Sequence, residues 1–422
     1  MEQIKITFLG DIMCQGPFLT AYGTESGYDF SPVFQEMKKT FSQADLVVGN
    51  LETPVTDNSD LTKERYCFCS PKEFAEAAYD AGITCVSTAN NHCMDRGRKG
   101  ISATIRCLDE IGFAHTGVFD RGGRDEKRNP LILSVGGMTI GVMSYTYGTN
   151  AFSNHQYLKK EDRYCVNLFQ NQELPDPVSR FFFRHRKKIP GVFKKLYRLA
   201  SPAQAALPVF EKRYPSRARE RYLLEDIRAM KEKKPDLIIF CMHSGGQYNE
   251  EPNEYTRYLA GLLADQGIPI IIGNHEHVVH GCDLSGIREN RFTAWCLGNF
   301  SGLAGVTREP FDKMSEYSVA CSLYIGKQDK RIRKVGCRVL KSVPYKDTQG
   351  ACTVPVYELI QAEAEPEKKR QLTRDMAAVA SRFCGRQISE TEICEEYVVW
   401  EAGSSPLNMN EEKRNPHEHR IN

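Results

Sequence analysis

Ile268-Pro269-Ile270-Ile271-Ile272-Gly273-Asn274-His275-Glu276-His277 is a branched apolar run that stops abruptly on two histidines flanking a glutamate. A continuous apolar run bounded in this way suits a strand buried on both faces. The pattern recurs along the chain. IKITFLGD closes on Asp11, DLVVGNLE on Glu52, ITCVSTANNH on His92, TIGVMSYT on Thr146, DLIIFCMH on His243 and FTAWCLGNF on Phe300. Helix signals lie between these runs. Ser70-Pro71-Lys72-Glu73 offers an N-cap, a proline at the first helical position and a capping-box glutamate, and its helix closes at Gly82. Two more helices fit 98–111, ended by Gly112, and 254–266, ended by Gly267. Strand and helix alternate, which predicts an α/β domain over 1–325. An α+β extension over 326–402 and a polar tail over 403–422 are expected to follow.

Composition narrows the class. With 422 residues, 41% hydrophobic and 26% charged, the chain is neither disordered, collagenous nor coiled-coil. Fifteen scattered cysteines, several inside apolar runs and none in a Cys-x-x-Cys pair, predict buried reduced thiols and no thiolate zinc site. The opening MEQIKITFLGD already reads as a strand, so no leader is expected, and no apolar run approaches the roughly 18 residues of a membrane span. The expectation is a cytoplasmic protein. The net charge of +2 hides a basic insertion over about 150–235, where 176–234 alone hold 17 Lys and Arg against 6 Asp and Glu. Aromatics are interleaved there, as in RFFFRHRKKIPGVFKKLYRLA. Three readings stay open: aromatics packed on the domain beneath solvated charges, a peripheral membrane or synthase contact, and a groove for an anionic polymer.

In an open parallel sheet the carboxyl ends of the strands form one rim, where ligands bind. Asp11, Asn50, Glu52, Asn90, Asn91, His92, Asp95, His243, His275 and His277 can therefore converge, and four of the ten histidines fall at such ends. In an extended segment, residues i and i+2 share a side, so His275-Glu276-His277 can offer two imidazoles to metal. Histidine and carboxylate ligands suit Zn, Mn or Fe. The competing reading is a pair of exposed loop histidines. Asn91 can bind a metal while His92 protonates a leaving oxygen; the competing reading for Asn90–Asp95 is a helix N-cap.

The ordered set GDIM (10–13), NLETP (50–54), ANNHCMDRG (89–97), His243-x-Gly245-x-x-Tyr248-x-x-x-Pro252, GNHEHV (273–278) and LGNF (297–300) resembles the CapA family. These are capsule-synthesis or poly-γ-glutamate-synthesis proteins, also called PgsA-like. The family is similar to a branch of the calcineurin-like metallophosphoesterase superfamily, which implies a layered β-sheet core flanked by helices, and the motifs span about two-thirds of the chain. The resemblance implies two divalent ions, with Asp11 on one, Glu52 bridging, Asn91 and His243 on the second, and His275 and His277 on one each. It makes His92 the catalytic histidine, with Asp95 beside it. Such an ion pair orients and ionises a water. Asn50, Tyr248, Glu276 and Asn299 are the expected substrate-binding residues. Departures occur at Met13, where histidine is common, at Ser244 and Gln247, and at Glu276, where proline is usual. A glutamate at 276 can orient an imidazole.

The expected activity is metal-dependent hydrolysis of a phosphoester or γ-glutamyl amide bond in capsule, poly-γ-glutamate or envelope-polymer synthesis. The alternative is a non-catalytic accessory that binds an anionic polymer or a membrane-bound synthase. No phosphate loop, dinucleotide fingerprint or nucleophile elbow occurs, and no nucleic-acid partner is expected.

Overall fold

The computed structural model describes residues 2–57, 67–120, 130–159, 161–175, 177–185, 188–193, 217–302 and 314–403. Strands form where the branched apolar runs lie. In chain order they are Gln3–Ile12 (β1), Leu46–Leu51 (β2), Cys85–Ser87 (β3), Ala114–Thr116 (β4), Leu131–Val135 (β5), Met138–Thr146 (β6), Leu237–His243 (β7) and Ile270–Asn274 (β8). Cys282–Asp283 (β9), Phe292–Ala294 (β10), Asn299–Ser301 (β11), Tyr317–Gly326 (β12), Ile332–Pro344 (β13), Ala351–Pro355 (β14) and Tyr397–Glu401 (β15) follow. The main helices are Lys72–Asp80 (α1), Gly97–Ile111 (α2), Arg217–Glu232 (α3), Glu254–Asp265 (α4), Val356–Ala362 (α5) and Pro366–Cys384 (α6).

These strands make two large sheets, which corrects the single rim read from the sequence. The first runs β14-β13-β12-β1-β2-β3-β4, with β11 also paired to β1 and β15 to β13. The second runs β9-β10-β8-β7-β6-β5. Strands β1 to β4 are parallel, as are β6, β7, β8 and β10. The sheets pack face to face: Ile4, Ile6, Phe8 and Val48 share one buried cluster with Val142, Ile239, Cys241 and Ile272. Their outer faces are covered in turn. Leu9, Val47 and Val86 cluster with Phe74 of α1 and Leu108 of α2, and Phe240 and Ile271 with Leu223 of α3 and Leu259 of α4. Four layers result, helix–sheet–sheet–helix, the mixed α/β architecture of the calcineurin-like type. Strands buried on both sides explain the near-continuous apolar runs.

Several local expectations are corrected. FTAWCLGNF is not one strand, because β10 ends at Ala294 in the second sheet and β11 starts at Asn299 in the first. The crossing bends at Gly298, whose φ of 78 is in the left-handed region. Helix α1 starts one residue later than expected, with Pro71 as its N-cap, since Ser70 is spent pairing with Val55 and bonding Pro54 O. Residues after 326 add β13, β14 and β15 to the sheet that holds β1. All fifteen cysteines are free thiols, eleven of them buried.

Within the basic stretch, residues 194–216 lie outside the described residues, as does the tail from 404. Helix α3 packs its Leu223, Ile227 and Met230 into the second sheet's cluster. The helix Pro177–Arg184 instead leaves Val178 and Phe181 exposed, and Phe193 beyond it is exposed too. Packing of the aromatics on the domain therefore fails at Phe181 and Phe193. Among the described residues, no helix is long and apolar enough to cross a membrane.

Gly273 is required by close approach. A Cβ there would stand 2.0 Å from the Trp295 carbonyl oxygen, which is backbone and has nowhere to move. Gly273→Ala is expected to lower stability by about 1–3 kcal/mol through overpacking. Urea unfolding checks this, and an unchanged midpoint refutes it.

Candidate metal centre

The carboxyl ends of β1, β2, β7 and β8 bring ligand-type side chains from both sheets together. Asp11 and Asn50 are register partners across β1 and β2, and His243 and Asn274 across β7 and β8. Two overlapping groups result: Asp11, Glu52 and His277, and Glu52, His243 and His275. In each, the potential ligand atoms lie within 4.8 Å of one another, and every residue is buried. Glu52 belongs to both. The two histidines of the closing motif thus serve different groups, and their backbone explains how. His275 and His277 are not extended neighbours on one side; they have φ of 111 and 60. Left-handed backbone at a non-glycine residue costs about 1–3 kcal/mol and persists only where surrounding structure enforces it.

The electrostatics of the cluster favour a cation. Among the described residues, neither Glu52 oxygen has a hydrogen-bond partner, and Asn91 Nδ2, also buried, has none. Burial, followed by the charge of Asp11 and then that of Asp95, pushes the Glu52 carboxyl well above its ordinary value. Burial, with His275, His277 and His92 adding to it, holds the His243 imidazole well below its own, in the neutral form that binds metal. A buried carboxyl with bare oxygens beside a neutral imidazole is costly alone and is satisfied by divalent ions. The donors are nitrogen and oxygen only, which suits Mn, Fe or Zn. These residues could hold metal.

The other predicted residues sort into distinct positions. His243 Nε2 lies 2.7 Å from Asn91 Oδ1 and 3.7 Å from Glu52 Oε1, so Asn91 is at the cluster as expected. His92 Nδ1 lies 2.6 Å from Asp95 Oδ2, and its Nε2 lies 4.0 Å from Glu52 Oε1. Asp95 therefore holds the His92 ring at Nδ1 and leaves Nε2 toward Glu52. Tyr248 stands beside the site, its ring centroid 5.8 Å from that of His277.

Three substrate-binding expectations meet a different geometry. Asn50 is buried and donates through Nδ2 to Asp11 Oδ1 at 2.7 Å, while its Oδ1 accepts from Ser87 Oγ at 3.1 Å. Its side chain is turned toward Asp11 inside the cluster. Glu276 is fully buried beneath the rim. Its Oε1 accepts from Gly246 N–H, its Oε2 lies 3.1 Å from His280 Nδ1, and burial pushes its carboxyl up to about 8. It braces the loop after β7 instead of an imidazole ligand. Asn299 Oδ1 lies 2.8 Å from His277 Nδ1, within the cluster. Asn90 is structural: its Nδ2 donates to Leu51 O at 2.7 Å.

Sequence reasoning missed three contributors. Phe68 stacks on His92 with centroids 3.8 Å apart and planes 8° apart. Asn154 donates to Asp95 Oδ1 at 3.0 Å. Tyr147 places its ring 4.6 Å from that of His275. Tyr147 directly follows β6, so the strand-end rule pointed to it; Phe68 and Asn154 sit on loops with no such signal.

A profile of the family described as bacterial capsule synthesis protein PGA_cap matches residues 5–302. The chain belongs to this family. The matched region holds every member of the two ligand groups and ends just after β11. The PGA biosynthesis protein CapA of Bacillus subtilis (strain 168) is 24% identical over 323 residues, covering 75% of this chain and 68% of the relative. The capsule biosynthesis protein CapA of Bacillus anthracis is 23% identical over 381 residues, covering 89% and 74%. An uncharacterized protein of Sinorhizobium fredii, y4sH, is 24% identical over 297 residues, covering 64% and 61%.

Proposed function

We propose that this family member is a hydrolase dependent on two divalent ions, Mn, Fe or Zn, acting on a phosphoester or γ-glutamyl amide bond in capsule or poly-γ-glutamate biosynthesis. The observation that carries the reading is Glu52, buried, without a hydrogen-bond partner on either oxygen among the described residues and shared by both ligand groups. Asp11, Glu52 and His277 would hold one ion, and Glu52, Asn91, His243 and His275 the other. When bound, such a pair supplies charge stabilisation and an ionised water nucleophile. The chain's own residues do the rest. His92, held at Nδ1 by Asp95 and stacked on Phe68, presents Nε2 to give a proton to the leaving oxygen or nitrogen. Tyr147 and Tyr248 flank the imidazoles and would bound the space open to substrate. The anionic polymer suits a site whose own negative charge is neutralised by bound cations.

Elemental analysis and a hydrolysis screen test this. Two divalent ions per chain are expected, with turnover of bis-phosphoesters or of γ-glutamyl amides supported by added Mn and abolished by a chelator. No divalent ion bound under excess metal removes the reading. Metal bound with no turnover of either class replaces it with a polymer-binding accessory.

A further inference from the structure

We propose that Asn299 Oδ1 is itself a ligand of the ion held by Asp11, Glu52 and His277. The assignment rests on the two-metal reading above and specifies how its first site is completed. His277 Nδ1 faces two oxygens, Asn299 Oδ1 at 2.8 Å and Asp11 Oδ2 at 3.2 Å. A single ring hydrogen serves only one of them well, so two oxygens crowd one ring nitrogen. Ligand atoms bonded to one divalent ion at about 2.0–2.2 Å stand roughly 2.8–3.6 Å apart. The observed spacings fall in that range.

The amide is also held so that its oxygen turns inward. Asn299 Nδ2 donates to Ser315 O at 3.0 Å, which leaves Oδ1 toward the imidazole. The backbone brings it there because β11 pairs in parallel with β1 and Asn299 is the register partner of Asp11. The same amide–imidazole contact occurs at the other group, where Asn91 Oδ1 lies 2.7 Å from His243 Nε2. The two sites would then match in form, each taking one asparagine amide oxygen. Met13 does not complete the first site: it is buried, and its thioether, a poor ligand for hard divalent ions, lies 3.9 Å from Gln15 Nε2. Asn299 supplies a hard neutral oxygen instead, and the first site becomes richer in oxygen than the second.

The full chain is tested as Asn299→Cys, Asn299→Leu and Asn299→Asp beside wild type. A ligand at 299 gives cobalt-loaded Asn299→Cys a thiolate-to-cobalt charge-transfer band in the near-ultraviolet, absent from cobalt-loaded wild type. A residue that merely accepts the His277 Nδ1–H gives no band. By equilibrium dialysis with Mn²⁺, Asn299→Leu is expected to keep one ion and bind the other at least about tenfold more weakly. Asn299→Asp keeps an oxygen and adds charge, so it is expected to bind at least as tightly as wild type. It also covers the case in which the cysteine variant does not fold. No band in folded Asn299→Cys, two ions held at unchanged affinity by Asn299→Leu, or weakened binding by Asn299→Asp overturns the assignment and leaves the two-metal reading standing. Wild type that binds no divalent ion overturns both.

Discussion

Replacing Glu52 with glutamine is expected to release both metal ions together, whereas Asp11→Asn and His275→Ala each release one. The asymmetry follows from membership: Glu52 belongs to both ligand groups, Asp11 only to the group with His277, and His275 only to the group with His243. Losing a shared carboxylate should weaken each site on the order of 10²-fold or more, beyond the effect of losing a residue that merely orients a ligand. Elemental analysis after dialysis reads the difference directly. A glutamine variant that retains one tight ion would show that Glu52 does not bridge. Stability gives a second readout with opposite signs in the two states. Burial and the nearby Asp11 raise the Glu52 carboxyl well above its ordinary value. A raised carboxyl favours the folded state below the ordinary carboxylate range, and that contribution is lost as pH rises through the raised value. Near neutral pH the chelated wild type therefore carries a cost that Glu52→Gln relieves, by about 1–3 kcal/mol. With metal bound the order reverses, because ligation stabilises only the protein that can bind. Urea unfolding with and without chelator checks both signs, and the same order in both conditions would contradict a cation at Glu52.

The positions of these residues were legible in the sequence to the extent that they follow strand ends. Asp11, Glu52, His243 and His275 each follow an apolar run, and a buried parallel strand delivers its carboxyl end to the ligand edge wherever it lies in the chain. Which sheet receives a strand was not legible. Runs such as DLVVGNLE and DLIIFCMH carry the same pattern, yet β2 joins the first sheet and β7 the second. That choice depends on long-range pairing, which periodicity does not encode. Amide roles were hidden for a related reason. Asn50 and Asn299 look alike as strand-end asparagines, and both are register partners of Asp11, one on each side. One donates its Nδ2 to Asp11 and the other turns its Oδ1 to His277. Only the neighbours across the sheet decide between them. Glu276 misled because adjacency in sequence to two ligands suggested contact with them, while the left-handed backbone at His275 and His277 is accompanied by a carboxyl directed to Gly246 and His280.

Removing the His92 imidazole is expected to leave both metal ions bound and to lower turnover by about 10²–10⁴-fold, the usual contribution of a positioned proton donor. His92 belongs to neither ligand group, which is why metal content should not move. Its geometry is that of a held acid. Asp95 Oδ2 lies 2.6 Å from Nδ1, Phe68 stacks on the ring at 3.8 Å, and Nε2 is left facing Glu52 at 4.0 Å. Asp95 is itself fixed, accepting from Phe68 N at 2.7 Å and from Asn154 Nδ2 at 3.0 Å. The loss in His92→Ala should depend on the leaving group. Nitrophenolate departs without a proton, so nitrophenyl esters should lose little, while alkyl esters and amides should show the full effect. Asp95→Asn should reproduce the same leaving-group dependence with a smaller fall, and should add almost nothing in the His92→Ala background, since the two act as one unit. Equal losses across all leaving groups would place His92 in charge stabilisation instead of proton delivery. Unchanged turnover would remove it from the reaction altogether.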